Sequence, residues 1–117
     1  TQGQGMPYTA VRYQKRDGNV PYAEWMRLLQ KKDIRAAAKI DICINRARAG
    51  NFGDHKFERD GVWALRINYG PGYRVYYSVR NGTMILLLVG GDKKSQQSDL
   101  NSAVDYLKDY EARKNDD

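Results

Sequence analysis

Two arginines, Arg66 and Arg74, sit in adjacent segments that alternate between apolar and polar residues, and they are the side chains of this chain best suited to chemistry on an anion. Within GVWALRINYGPGYRVYYSVRNGTMILLLVGGDKK, residues 61–94, strand alternation puts Ala64, Arg66, Asn68, Arg74, Tyr76, Ser78 and Arg80 on one face. Trp63, Leu65, Ile67, Tyr69, Tyr73, Val75, Tyr77 and Val79 fall on the other. If Gly70, Pro71 and Gly72 form a three-residue connection, Tyr69 faces Tyr73, Asn68 faces Arg74 and Arg66 faces Tyr76. The two guanidiniums then share a face, and their forked N–H donors match the oxygens of a phosphate. At about 25 cal/mol per Å² the apolar face accounts for the sheet by itself, so the cationic face asks for a separate explanation. The alternatives to phosphate are a solvated sheet face or a seat for the acidic side chains of a protein partner.

Cleavage of RNA without a metal requires activation of a 2′-hydroxyl, stabilisation of charge on the phosphorane and a proton for the leaving 5′-oxygen. Arg74 and Arg66 suit the second task and are poor bases, because a guanidinium keeps its proton. His55 has the right intrinsic pKa for a base, and Lys56 is its neighbour. The turn at Arg59-Asp60-Gly61 decides between them. A two-residue turn pairs His55 with Arg66, whereas a three-residue loop pairs Lys56 with Ala64 and sends Phe57 to the core. The second is preferred because it buries the phenylalanine, which favours Lys56. Lys93 and Lys94 follow Gly90-Gly91-Asp92, where a strand gives way to a helix whose positive end can attract an anion. A plain helix lead-in capped by Ser95 or Ser98 is the alternative. Tyr76 could stack on a base or donate to phosphate, or belong to sheet packing. Arg46, Arg48 and Lys39 form a basic flank that would strengthen RNA binding with a strong salt dependence.

The elements that hold these residues can be read from periodicity. Residues 9–14, TAVRYQ, make a first strand. After Pro21, the spacing of Tyr22, Trp25, Met26 and Leu29 predicts an amphipathic helix. Asp33 can cap a second helix with the apolar line Ala37, Ile40, Ile44, Ala47, widened by Ile34, Ala38 and Ile42, and Gly50-Asn51 ends it. Strands follow over about 53–58, 62–69, 73–80 and 83–89, with Asn81-Gly82 as a hairpin turn. MILLLV does not alternate and therefore reads as a central strand covered on both faces. A last helix over about 95–113 turns Leu100, Ala103, Val104 and Leu107 inward. The expected fold is α+β: a twisted, mainly antiparallel sheet with an N-terminal helical hairpin on one side and a C-terminal helix.

With 117 residues the chain is one domain, over residues 6–113, followed by a polar tail at 114–117. Residues 1–5, TQGQG, have the composition of an expression remnant, which places the natural start at Met6. A net charge of +6 favours an anionic partner, nucleic acid or an acidic protein. The single cysteine, Cys43, forbids an internal disulfide, and its place in a helical apolar pattern predicts an inert buried thiol. One histidine and one cysteine cannot make a standard zinc site, so no metal or other cofactor is expected. No apolar run has membrane-spanning length, and a cytoplasmic protein without a membrane partner is expected.

The segments GNFGD, GVWALRI, YGPGYRVYY and LLLVGGDKKSQQSDL are similar to addiction-module killer proteins of the RelE/ParE toxin superfamily, HigB- and RelE-like members included. The resemblance runs from about Tyr8 to Tyr110. It implies a RelE-like fold and a type II toxin that acts on messenger RNA in the ribosome and is neutralised by an antitoxin, expected to be of helix-turn-helix type. Operator DNA would be met only through the antitoxin complex. It also implies that Arg74, in the GYR motif, stabilises the scissile phosphate, that Arg66, in the LR motif, assists it, and that Lys93 supplies a further cation. Departures are evident. Val62 and Ala64 stand where the best-known ribosome-dependent relative has lysines for proton transfer, Ala64 stands where relatives usually carry Glu, and no tyrosine stands at 97–99. Other members of the superfamily poison DNA gyrase without nuclease machinery, and a degenerate member that only binds its antitoxin is a third possibility.

Overall fold

The computed structural model of the protein describes residues 6–115. The sequence-based remnant at 1–5 and the last two tail residues lie outside the described residues. The elements run β1 (Thr9–Arg12), α1 (Pro21–Lys32), α2 (Ile34–Arg48), β2 (His55–Arg59), β3 (Val62–Ile67), β4 (Tyr73–Arg80), β5 (Met84–Asp92) and α3 (Gln96–Asn115). Lys114, expected in a polar tail, is thus part of the last helix.

The five strands form one sheet in the order β1-β5-β4-β3-β2, antiparallel except where β1 runs parallel to β5. The helical hairpin covers one face. There Tyr22, Met26 and Leu29 of α1 and Ala36, Ala37, Ile40, Ile44 and Ala47 of α2 pack on Leu65, Ile67, Tyr73, Val75, Tyr77, Ile85 and Leu87. On the opposite face Ala103, Val104 and Leu107 of α3 pack on Tyr13, Val62, Ala64, Tyr76, Leu86 and Leu88. The apolar run of β5 is explained by this sandwich, since Ile85, Leu86, Leu87 and Leu88 are buried on alternating sides.

Local chemistry fixes the joints. Proline opens α1, and the Asp33 carboxylate accepts from the Ala36 N–H at 3.1 Å to cap α2. Asn81 and Gly82 both have positive φ, 56° and 75°, as a tight hairpin of this hand demands. Gly90 has a different function: a Cβ there would lie 2.2 Å from the Trp25 ring, so only glycine lets α1 lie this close to β5.

Two apolar assignments differ from expectation. Ile34 and Ile42, and Ala38 between them, are exposed, because α2 meets the sheet along Ala36, Ala37, Ile40, Ile44 and Ala47, with Cys43 half-buried beside them. Phe57 is 50 % exposed: β2 is an edge strand, and the ring packs edge-on against Trp63, 5.3 Å between centroids, beyond the reach of α2. Among the described residues, no helix is long and apolar enough to cross a membrane.

Candidate phosphate-binding site

The turn between β3 and β4 is longer than three residues, because β3 ends at Ile67 and Asn68–Gly72 all belong to the connection. Its closing bonds are Tyr69 N–H to Ile67 O at 3.0 Å and Gly72 N–H to Tyr69 O at 3.0 Å. Ile67 therefore faces Tyr73, and Arg66 faces Arg74 directly, not Tyr76. The slip of two residues keeps every side chain on its expected face and sets the two arginines directly opposite each other.

The β2–β3 register pairs Lys56 with Ala64, as preferred, but not through a three-residue loop: Arg59 pairs with Val62 across the two-residue turn Asp60-Gly61, both at positive φ, and a bulge between Phe57 and Arg59 shifts the register by one. Continuing that register by one more pair puts Asp54 opposite Arg66, and the contact is made. The Arg66 N–H donates to Asp54 O at 2.8 Å, and its guanidinium Nε and Nη2 donate to Asp54 Oδ1 at 2.9 and 2.6 Å. On the far side Arg74 pairs with Gly91 of β5. A Cβ at Gly91 would fall 1.8 Å from Asp99 Oδ2, so the α3 carboxylate occupies the space that a side chain would fill. One row across the sheet thus reads Asp54, Arg66, Arg74, Gly91, the last overlaid by Asp99. Two cations stand between two carboxylates. The Arg74 guanidinium makes no hydrogen bond or ion pair with the described residues.

An open hollow of about 200 Å³ is lined by Asp54, Arg66, Ile67, Asn68, Gly72, Tyr73, Arg74 and Lys93. The Lys93 N–H donates to Gly72 O at 3.1 Å, which holds the strand-to-helix junction against the β3–β4 loop. Like charges placed directly opposite repel, so Arg66 and Arg74 destabilise each other until an anion sits between them. Three cations and one carboxylate around such a space favour a phosphate, and the unpaired Arg74 has its donors available for one.

Arg46 borders an adjoining hollow that shares Asp54 and Arg66 in its lining, so it extends the cationic rim on the α2 side. Lys56 is exposed on the arginine face, one row away beside Ala64, and does not line the hollow. Lys94 is exposed and likewise outside it, its backbone N–H donating to Asp92 Oδ1 at 2.9 Å.

Several expected contributors are placed elsewhere. Tyr76 is 1 % exposed under α3, its hydroxyl donating to Gln96 O at 3.3 Å, and burial foremost pushes its pKa up to about 12. It cannot stack on a base. Ser78 and Ala64 are buried beneath the same helix, and Arg80 is paired with Glu111 of α3, so the cationic face is open only at the Arg66–Arg74 end. His55 lies on the other face: it pairs with Leu65, its Nδ1–H donates to Gly53 O at 2.9 Å, and its ring sits among Phe52 and Trp63. Arg48 is half-buried, held by Asn45 at 3.4 Å, and its carbonyl accepts from Tyr8 N–H, which makes it part of the N-terminal junction instead of a basic flank. The positive end of α3 is already occupied, since Asp92 Oδ1 accepts from the N–H groups of Lys94 and Ser95 and Asp99 takes the Ser95 hydroxyl at 2.5 Å. Burial and the nearby Asp92 raise the pKa of Asp99, against the opposing hydrogen bond from Ser95.

No family model matches this sequence. A protein of Haemophilus influenzae, described as an uncharacterized protein, is 46% identical to it over 82 residues, which cover 70% of this chain and 81% of the relative. At that identity and coverage the two share a fold and an ancestor, and this chain belongs to the same protein family as the Haemophilus influenzae protein.

Proposed function

We propose that the protein is a RelE/ParE-type toxin of a type II toxin–antitoxin module, with a RelE-like fold, and that it cleaves messenger RNA in the ribosome without a metal. The observation that carries this is the cross-strand pair Arg66–Arg74, open to solvent at one end of an otherwise covered face and joined there by Lys93. A backbone phosphate seated between the guanidiniums relieves their mutual repulsion, and the charge that builds on the phosphorane strengthens the same contacts. Arg74 is the principal phosphate ligand because no protein carboxylate competes for it. Arg66 is shared with Asp54, and Lys93 neutralises charge from the opposite wall. Proton transfer falls to Lys56 on the same face or to the Asp54 carboxylate that lines the hollow. A cytoplasmic setting follows from this role, as does an antitoxin of helix-turn-helix type whose acidic segment covers the arginine pair and through which alone operator DNA is met.

A second reading, inhibition of DNA gyrase without cleavage, is favoured by one feature. With His55 on the other face and Tyr76 buried, the open end is better supplied with phosphate ligands than with proton carriers. One experiment separates the two. Purified protein is added to a translating extract and mRNA ends are mapped, while gyrase supercoiling is measured in parallel. Codon-phased cuts that disappear in Arg74→Ala support the nuclease; intact mRNA with blocked supercoiling refutes it and supports the alternative. Intact mRNA with normal supercoiling refutes both and leaves a member that only binds its antitoxin.

A further inference from the structure

The face of the sheet that carries the helical hairpin is not covered over its whole extent. α2 ends at Arg48, and the part of this face left open carries a hollow of about 230 Å³ walled by Tyr8, Phe52, His55, Trp63, Tyr77 and Val79. Strand pairing assembles it. Trp63 lies opposite Tyr77, while His55, opposite Leu65, falls on the same face with its ring 5.7 Å from that of Trp63. The loop after α2 lays Phe52 on Tyr77, 5.7 Å between centroids with the planes 24° apart, and Tyr8 meets Phe52 edge-on at 5.2 Å. Tyr77 is buried, but His55 and Val79 are exposed and Tyr8, Phe52 and Trp63 are only half-buried. Contiguous aromatic surface that the fold leaves uncovered marks a place where something binds.

The surroundings narrow the ligand. Among the described residues that line the hollow there is no acidic side chain, and the chain carries a net charge of +6, so a cationic group seeking an aromatic cage meets repulsion instead of a counter-charge. The volume lies below that of pockets for drug-sized molecules and suits a single planar ring system. Continuity with the arginines supplies the rest. Phe52 is a common wall of this hollow and of the one bordered by Arg46, which in turn shares Asp54 and Arg66 with the Arg66–Arg74 hollow. The middle hollow is lined both by Leu65, from the hairpin face, and by Arg66, from the other, so the series turns round the open edge of the sheet where β2 begins. Along β3, Trp63 and Arg66 are three residues apart, about 10 Å. A ring held at one and a phosphate held at the other are within reach of neighbouring nucleotides of one strand.

We propose that the aromatic hollow takes a nucleobase of the single-stranded RNA whose phosphate lies between Arg66 and Arg74. The assignment rests on the phosphate reading of the arginine pair and supplies what that pair lacks. Guanidiniums hold every backbone phosphate alike, whereas stacking on Trp63, His55 and Phe52 holds the strand by a base and so fixes which phosphate reaches the arginines.

The test uses two labelled probes of equal length, a short single-stranded RNA and the same ribose-phosphate strand without bases. Affinity is read by fluorescence anisotropy at low salt, and the indole N–H signals of Trp63 and Trp25 by NMR. The RNA is expected to bind about tenfold more tightly than the base-free strand, within the range of one stacked base, and to shift the Trp63 signal while that of Trp25, packed against Gly90, stays in place. His55→Ala, a change at an exposed ring, is expected to remove most of this preference without altering the salt dependence; Phe52→Leu, which keeps the wall apolar, is a second variant with the same expected effect. Arg74→Ala is expected to weaken both probes and leave their ratio unchanged. Equal binding of the two probes with Trp63 unmoved overturns the proposal and leaves the hollow to apolar side chains of a protein partner, and a loss of affinity in Arg74→Ala then shows that the phosphate reading survives. A preference that persists in both His55→Ala and Phe52→Leu also overturns it. A preference with Trp63 shifted, but with Arg74→Ala without effect, upholds the base site and places the failure in the phosphate reading alone. Absence of binding by either probe overturns both.

Discussion

Asp54→Asn should move stability and RNA affinity in opposite directions, and the geometry sets the size of both effects. The carboxylate takes two guanidinium N–H groups of Arg66, at 2.9 and 2.6 Å, in a pair whose side chains are 38 % and 55 % exposed. An ion pair this accessible contributes up to about 1 kcal/mol, and here it also offsets the repulsion of Arg74 across the strand. Its loss is therefore expected to cost about 1 kcal/mol, roughly 4 °C in melting temperature for a domain of this size. The same carboxylate repels a phosphate in the hollow. At a separation of about 6 Å in water that repulsion is roughly 0.7 kcal/mol, and it grows where the ligand excludes solvent, so the variant should bind RNA about threefold more tightly or better. Thermal unfolding followed by circular dichroism and fluorescence anisotropy with a labelled single-stranded RNA at low salt measure the two quantities. Inorganic phosphate should restore the lost melting temperature, because it neutralises the same arginines. A variant that melts lower and also binds RNA more weakly would refute the reasoning, since Asp54 would then be orienting Arg66 for its ligand instead of competing with it.

Gly90→Ala is expected to destabilise the fold by about 3 kcal/mol, near the top of the range for overpacking, because the new methyl collides with the Trp25 ring 2.2 Å away. The companion change Trp25→Ala should recover part of that loss in a double-mutant cycle, and strictly additive effects would count against the contact. Asp99→Asn tests the carboxylate packed on Gly91. Its raised pKa means that the folded state is favoured by the neutral form, so the wild-type contribution is fullest below the unfolded carboxylate pKa and is lost as pH rises through the folded value. The variant should accordingly be more stable than wild type at neutral pH, with the gain vanishing in acid, and a loss of stability at neutral pH would contradict this. Tyr76→Phe removes only the 3.3 Å bond to Gln96 O, so about 0.5 kcal/mol of stability should go while RNA affinity stays the same. Weakened RNA binding in that variant would mean that the ring is not confined to the core.

Strand alternation alone locates the arginine face, because parity depends only on the side-chain period of two. The same parity could not say what lies on top of a face. Ala64, Tyr76 and Ser78 carry no mark in the sequence that distinguishes a covered position from an open one, and it is the packing of Ala103, Val104 and Leu107 that buries them. The β3–β4 register differs by two residues because Tyr69 continues the apolar alternation while its backbone already belongs to the loop. Asp54 was within reach of sequence reasoning. The register that pairs Lys56 with Ala64 requires Asp54 opposite Arg66, inside the strand expected over about 53–58, although the strand itself begins at His55. On α2, Ile34, Ala38 and Ile42 follow a helical spacing as regular as that of the true core line, and only contact with the sheet breaks the tie.

The central claim is that Arg66 and Arg74 together hold an RNA phosphate. The salt dependence of single-stranded RNA binding, compared between wild type and Arg74→Ala, measures this most directly. If the claim holds, the variant loses about tenfold in affinity and its slope of log K against log salt shrinks by about 0.7, the release of one counterion-equivalent from a single strand. Equal affinities with equal slopes would contradict it, because the phosphate would then be bound somewhere other than between these two arginines.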